Sequence, residues 1–216
     1  MKKLLLVGAL MAVVVWSLPG VAAASFADPF DDALLPGWIA VPTAKGWVAS
    51  TGGVQRSFSP TGPGELVRSI GMGINNDFTV AATMTTSPGR TNAGLTTLFV
   101  NQANHMWAKI EISPGHPKGF MSIGHDIGGK TASLLAQANV PLTKSTSYDV
   151  SLSKVGMTLT FTVLTSTGTP LRSIVRTLTA AEIKALATAS FAGLRTKTLF
   201  DEDDGGTRWE GFSVTP

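Results

Sequence analysis

The chain has 216 residues, of which 44% are hydrophobic and only 14% are charged, with 23 Gly, 12 Pro and no Cys. This composition excludes a mainly disordered chain and predicts one turn-rich globular domain, and the lack of Cys excludes disulfides, thiolate metal sites and a cysteine nucleophile. The net charge is only +3, and Lys2 and Lys3 supply two of the positive charges from the N-terminal leader. A basic nucleic-acid-binding surface is therefore not expected, and nucleic acid is not an expected partner.

Residues 1–24 have the pattern of a secretory signal peptide. Lys2 and Lys3 precede an uncharged apolar run from residue 4 to 18, Pro19-Gly20 ends that run, and Ala22-Ala23-Ala24 offers a cleavage site. A retained membrane anchor is the alternative, but a membrane span usually needs about 20 apolar residues and this run is shorter. We expect cleavage after Ala24, a secreted extracellular or periplasmic protein, and no membrane span in the mature chain.

Residues 25–216 are expected to form a single domain built mostly of antiparallel strands. Short apolar and polar alternations recur between clusters of Gly, Pro, Asn and Ser, which is the pattern of strands joined by turns. Alternation is clearest in 78–85 and 105–112, and the segments on either side of Gly156 are predicted to form a hairpin. About a dozen strands are predicted, and the others lie at 47–56, 65–70, 95–100, 120–125, 133–137, 174–178, 191–196 and 208–214.

One segment, residues 180–187, is predicted to form a short helix. Thr179 precedes it and Glu182 follows three residues later, which is the spacing of a capping box. Because helices do not alternate with the strands, a parallel α/β sheet is disfavoured. The sequence therefore predicts an all-β fold, a two-sheet antiparallel jelly-roll sandwich with one short helix, preceded by the signal peptide.

Several segments, taken in order, resemble the concanavalin A-like lectin/glucanase superfamily in its laminin-G-like and glycosidase-accessory branches. The resemblance spans nearly the whole mature chain. The segments are Phe26 to Asp32 with Leu35 to Trp38, Asn76 to Val80, Ala93 to Leu95, Asn101 to Glu111, Tyr148 to Val150 with Met157 to Leu159, Ala192 to Thr196, and Trp209 to Val214. The resemblance implies a two-sheet jelly roll that serves in glycan binding, adhesion or as an accessory module, and in some branches hydrolyses glycosides.

The chain lacks the paired carboxylates of the hydrolytic members that resemble laminarinases. Those members carry Glu-x-Asp-x-x-Glu on one strand, which places nucleophile and acid in one cleft. Residues 109–114 read Lys-Ile-Glu-Ile-Ser-Pro, so Glu111 alone is acidic, and Asp126, Asp149 or Glu210 would have to converge on it from other strands. No catalytic residue is assigned, and Glu111 is the candidate if the protein is a glycosidase.

The candidate ligand-binding residues lie on one strand face. Trp107 alternates with apolar neighbours and shares its face with His105, Lys109 and Glu111. An outward Trp among hydrogen-bonding groups suits a sugar, because the ring meets the C–H surface and the polar groups meet the hydroxyls. The alternative is that Trp107 packs beneath the loop at residues 59–64.

The densest charge cluster is Asp201-Glu202-Asp203-Asp204, followed by two glycines. One interpretation is a solvated hairpin turn; the other is a Ca²⁺ site in which Asp201, Asp203 and Asp204 supply oxygen ligands. No other cofactor is expected.

Three hypotheses for the function follow. The first is a secreted, non-catalytic module that binds carbohydrate or a cell-surface partner, for which a cell-surface glycan is the expected ligand. The second is a glycoside hydrolase of the same fold. The third is a structural or attachment protein of an envelope or virion.

Overall fold

The computed structural model describes residues 25–30, 36–41, 47–50, 53–56, 62–198 and 207–216. Within them lie fifteen strands and one helix, α1 (Ala180–Ala185). The strands are β1 (Phe26–Asp28), β2 (Trp38–Val41), β3 (Trp47–Ser50), β4 (Gly53–Arg56), β5 (Gly62–Ser69), β6 (Phe78–Thr85), β7 (Thr91–Asn101), β8 (Asn104–Ser113), β9 (His116–Ile127), β10 (Lys130–Asn139), β11 (Ser147–Val155), β12 (Thr158–Thr165), β13 (Pro170–Thr177), β14 (Phe191–Thr198) and β15 (Arg208–Thr215). The predicted signal peptide lies outside the described residues.

The strands form two antiparallel sheets. Sheet A has the order β13-β12-β11-β6-β15-β4-β3, with β1 paired to β15, and sheet B has the order β10-β9-β8-β7-β14-β5-β2. One face of each sheet packs into a shared apolar core, because side chains alternate between the two faces of every strand. The all-β, two-sheet sandwich predicted from the sequence is confirmed.

The most regular local patterns form the predicted elements. The β11–β12 hairpin turns between Val155 and Thr158, with Gly156 at a φ of 54°, a backbone conformation that favours glycine. Before α1, the Thr179 hydroxyl accepts from the backbone N–H of Glu182, whose side chain accepts from the Thr179 N–H. The hairpin and the capping box are therefore both confirmed.

One predicted strand is divided in the structure, and another strand contains a bulge. The segment expected to be one strand at 47–56 is two strands, β3 and β4, which pair with each other. The spacing of Trp209 and Phe212 would place them on opposite faces of a regular strand, yet both are buried in the core. A bulge in β15 between Trp209 and Gly211 accounts for this, since an extra residue reverses the alternation.

Candidate functional site

The outer face of sheet B, opposite the core, carries all four candidate ligand-binding residues. In β8, Met106, Ala108 and Ile110 fill the interior of the sandwich. The alternate positions, His105, Trp107, Lys109 and Glu111, therefore lie on the other face, as predicted. They are far from open: His105 and Trp107 are 1% and 2% exposed, and the side chains of Lys109 and Glu111 are 14% and 18% exposed.

Trp107 is held in place by three neighbours. Its indole lies against Gly124 of β9, where the absence of a Cβ makes room for the ring. Its Nε1–H donates to Asp126 Oδ2 at 3.0 Å, and the Arg195 guanidinium sits 4.7 Å from the ring centroid. Most of the indole surface is therefore used in packing, so that a bound ligand would meet the polar groups around the ring.

A buried ionic cluster lies beside Trp107. Arg195 of β14 donates to Glu65 of β5, and its Nη1 also lies 3.2 Å from His105 Nε2. Glu65 Oε1 and Asp126 Oδ2 lie 3.5 and 3.4 Å from the same His105 nitrogen.

Burial removes most of the hydration of the positive charges in and beside this cluster. Burial lowers the pKa of Arg195 below its ordinary value, and the nearby charge of Glu65 partly offsets that effect. Burial likewise lowers the pKa of Arg56, which donates from Nη1 to the Thr196 carbonyl at 2.8 Å. The two arginines share Glu65 as a carboxylate neighbour, and Glu65 Oε2 is buried without a hydrogen-bond partner among the described residues.

Glu111 lies at the other end of the same face. It accepts from Lys109 Nζ at 2.8 Å and from Ser113 Oγ at 2.9 Å, and Asn92 Nδ2 lies 3.3 Å from it. Burial alone would raise the pKa of Glu111, but the Lys109 and Ser113 contacts outweigh it and hold the pKa below its ordinary value. Glu111 is therefore an ionised, paired carboxylate at neutral pH.

A cleft of about 190 Å³ opens between these groups. Six strands of sheet B contribute to it, and Trp107 and Pro63 are its apolar walls. The polar side chains that line it are Asn92, Lys109, Asp126, Thr131, Ser133, Arg195 and Lys197.

A larger hollow of about 620 Å³ lies on the outer face of sheet A. Small side chains such as Ala81 and Ser151 line it, together with Asp149 and Glu210. Thr83 and Thr85 already donate hydrogen bonds to these two carboxylates. Because the core separates the two outer faces, neither Asp149 nor Glu210 converges on Glu111. We take the smaller cleft as the candidate site because more hydrogen-bonding and charged side chains meet there.

Glu65 and Arg195 of the ionic cluster escaped prediction as ligand-binding groups, as did the cleft residues Asn92, Asp126, Thr131, Ser133 and Lys197. Asp126 was considered only as a catalytic partner for Glu111, and it belongs instead to the cluster around His105. Glu65 and Arg195 each stand next to a buried leucine, so alternation places them on an outer face. Which strands lie side by side is not encoded in that alternation.

The candidate calcium ligands Asp201, Asp203 and Asp204 lie outside the described residues. Within the described ranges, no group of three or more His, Cys, Asp or Glu side chains is arranged to hold a metal ion. No described helix has the length and apolar character needed to cross a membrane.

The fold is the concanavalin A-like jelly roll, as the resemblance implied. No protein-family model matches the chain, and no curated protein matches it. Among solved structures, it is similar to the CBM2 module of the evolved Dit of Lactobacillus casei BL23 phage J-1, at 13% identity and a TM-score of 0.62 over 88% of this chain and 95% of that one.

Two further structures illustrate the range of similar proteins. Lectin II from Ulex europaeus is 11% identical, with a TM-score of 0.61 over 90% of this chain and 98% of the lectin. The carbohydrate-binding module CBM66 from Bacillus subtilis is 15% identical, with a TM-score of 0.54 over 82% of this chain and 91% of the module. At these identities the similarity establishes the fold.

Proposed function

We propose that this protein is a secreted, non-catalytic β-sandwich module that binds carbohydrate, with a cell-surface glycan as its natural ligand. The observation that carries the proposal is the cleft on the outer face of sheet B, where polar side chains from several strands converge around one tryptophan. The structural neighbours named as lectins and carbohydrate-binding modules support the same class of ligand.

The chemistry of the cleft suits sugar hydroxyls. Asn92 and Lys109 offer N–H donors, Asp126 offers an acceptor, and Thr131 and Ser133 offer hydroxyls that both donate and accept. The strands of one sheet hold these groups in fixed positions, which limits the entropy lost on binding. The cleft is smaller than the roughly 300–1,000 Å³ of pockets for drug-sized ligands. It is therefore suited to one sugar unit at the end or branch of a glycan.

The positions of Glu111 and Asp126 argue against hydrolysis by this pair, and Glu65, which lies closer to Asp126, is only 1% exposed. Asp126 on β9 lies opposite His105 on β8. Glu111 is six residues after His105 on β8 and lies opposite Phe120. At about 3.4 Å per residue the backbone positions of the two acids are roughly 20 Å apart along the strands. Glycosidases place their two carboxyl groups about 5–9.5 Å apart, and their general acid needs a raised pKa, whereas the pKa of Glu111 is lowered.

Binding is tested on a glycan array and by polysaccharide pull-down, with isothermal titration of every positive. Ser133→Trp is the blocking variant, because Ser133 is exposed and lines the cleft. Leu134→Trp is the matched control, since Leu134 is its exposed neighbour in β10 and does not line the cleft. We expect Ser133→Trp to weaken glycan binding at least tenfold and Leu134→Trp to leave it unchanged.

Two outcomes would contradict the proposal. Failure of the folded protein to bind any glycan would favour a structural or attachment protein. Release of reducing sugar that survives purification and is lost in Glu111→Gln would instead make the protein a glycoside hydrolase.

Secretion is tested separately from binding. The pattern of residues 1–24 predicts that exported protein begins at Ser25, which mass spectrometry of the protein recovered outside the cytoplasm measures directly. Intact residues 1–24 in the membrane fraction would contradict secretion and indicate an anchored protein.

A further inference from the structure

The charges that line the cleft point to a more specific class of glycan. Three cations, Lys109, Arg195 and Lys197, line it together with one carboxylate, Asp126. Lys109 is paired with Glu111, and Arg195 is paired with Glu65. These two cations are therefore largely neutralised by the protein itself.

Lys197 differs from the other two cations. It is half-buried on β14, two residues from Arg195, and its side chain makes no hydrogen bond or ion pair with any described residue. The stem of a partly buried lysine packs against the protein while its ammonium group stays accessible. An ammonium group at the cleft that no described carboxylate neutralises can bind an anion.

The charges behind the cleft add to the same potential. Arg56 and Arg195 interact with each other unfavourably and share Glu65 as their nearby carboxylate. With Lys109 and Lys197, four cations stand against three carboxylates, Glu65, Glu111 and Asp126. Among the described residues, these seven side chains therefore carry one excess positive charge.

We propose that the glycan bound in this cleft carries an anionic substituent, a carboxylate or a sulfate, which pairs with Lys197. The inference rests on the carbohydrate-binding function proposed above. The remaining polar side chains would bind hydroxyls of the same sugar unit. Recognition of the anion would thus supply selectivity against neutral glycans of the same shape.

The test compares matched ligands on the full mature protein. Polygalacturonate is titrated beside the same polymer with its carboxyl groups reduced to neutral sugars, beside a sulfated galactan and beside polyglutamate. We expect polygalacturonate or the sulfated galactan, or both, to bind at least tenfold more tightly than the reduced polymer, with an affinity that falls as salt rises. The comparison of the two acidic glycans identifies which anion the site takes.

The variants assign the preference to one residue. Lys197→Gln is expected to lower the affinity for the acidic glycan about tenfold, to the level of its neutral counterpart, while Lys197→Arg retains the preference. Lys184→Gln, on the exposed face of α1, is the control for loss of a positive charge elsewhere. Circular dichroism and thermal melting establish that each variant is folded. If Lys197→Gln is not, Lys197→Met provides the test, since it removes the charge and keeps an unbranched apolar side chain.

The experiments distinguish a failure of the anionic specificity from a failure of carbohydrate binding itself. Equal binding of acidic and neutral polymers that is blocked by Ser133→Trp would overturn the anionic specificity and leave carbohydrate binding intact. Polyglutamate binding as tightly as polygalacturonate, or an unchanged preference in Lys197→Gln, would also overturn the specificity. Absence of binding to every glycan would overturn both.

Discussion

The indole of Trp107 lies across Gly124, so that a Cβ at residue 124 would fall 2.3 Å from Cζ2 of the ring and 2.6 Å from the Ala132 carbonyl oxygen. This close approach lets the ring lie along the sheet and reach Asp126 on the same strand as Gly124. The site therefore depends on Gly124, because a residue without a Cβ leaves room for the Trp107 indole.

Gly124→Ala is expected to destabilise the protein by about 1–3 kcal/mol, because neither the packed ring nor the backbone carbonyl can move aside without strain. Urea unfolding measures the free energy, and tryptophan fluorescence reports the displaced indole. Gly115→Ala is the control: its nearest neighbour would be 3.9 Å away, and we expect a change within about 0.5 kcal/mol. Equal stability of the two variants would show that Trp107 is not held against β9.

The Glu65 and Arg195 pair gives a second prediction. Arg195→Met is expected to cost about 3–5 kcal/mol, because it leaves Glu65 charged and buried, whereas Glu65→Met combined with Arg195→Met should cost much less than the two single changes together. A double-mutant cycle by urea unfolding measures this coupling. Additive costs would contradict a direct interaction between the two side chains.

The sequence predicts the parts of the fold that local patterns determine. The hairpin around Gly156 and the capping box of Thr179 and Glu182 each depend on residues within a few positions of one another. Strands β1 and β2 were missed because three or four residues are too few to display alternation. These short strands are instead stabilised by pairing with strands distant in sequence, β1 with β15 and β2 with β5, and by the Trp38 Nε1 hydrogen bond to Asp28 at 2.7 Å.

The candidate site was predictable only in part for a related reason. Alternation along β8 is a property of one strand, and it placed His105, Trp107, Lys109 and Glu111 on a common face. The partners that bury two of them come from elsewhere in the chain: Glu65 and Arg195 are 130 residues apart in sequence yet adjacent in sheet B. Strand order depends on the packing of the whole sandwich, which no local pattern encodes.

The acidic segment Asp201 to Asp204 gives a third prediction. We expect it to be a solvated turn, so that Asp203→Asn changes stability by less than about 0.5 kcal/mol, as exposed substitutions usually do. Calcium and EDTA are then expected to leave the melting temperature unchanged. A calcium site would behave differently, since an ion at a hundredfold excess over Kd stabilises by about 2.7 kcal/mol. A melting temperature that rises with calcium, falls with EDTA and no longer responds in Asp203→Asn would refute the turn.

The fourth prediction concerns the acid sensitivity of the contact that α1 makes with β9 of sheet B and β13 of sheet A. Glu182 is buried, and burial alone would raise its pKa from the ordinary value of 4.5. The backbone N–H and hydroxyl of Thr179 donate to it at 2.6 and 2.8 Å, and His125 Nδ1 lies 2.7 Å away. These contacts, with the charge of Arg176, outweigh burial and hold the pKa of Glu182 below 4.5.

A carboxyl whose pKa is lower in the folded than in the unfolded state stabilises the fold fully at pH values above its unfolded pKa. That contribution is lost as the pH falls from the unfolded pKa through the folded pKa, because over this range the unfolded chain binds more protons than the folded protein. Glu182→Gln is therefore expected to cost about 1–3 kcal/mol at pH 7, and the difference from the unsubstituted protein should shrink below about pH 4.5. Urea unfolding at a series of pH values measures this difference, with the exposed Glu210→Gln as control. A cost for Glu182→Gln that stays constant from pH 7 to pH 3 would mean that the charge of Glu182 does not stabilise the contact between α1, β9 and β13.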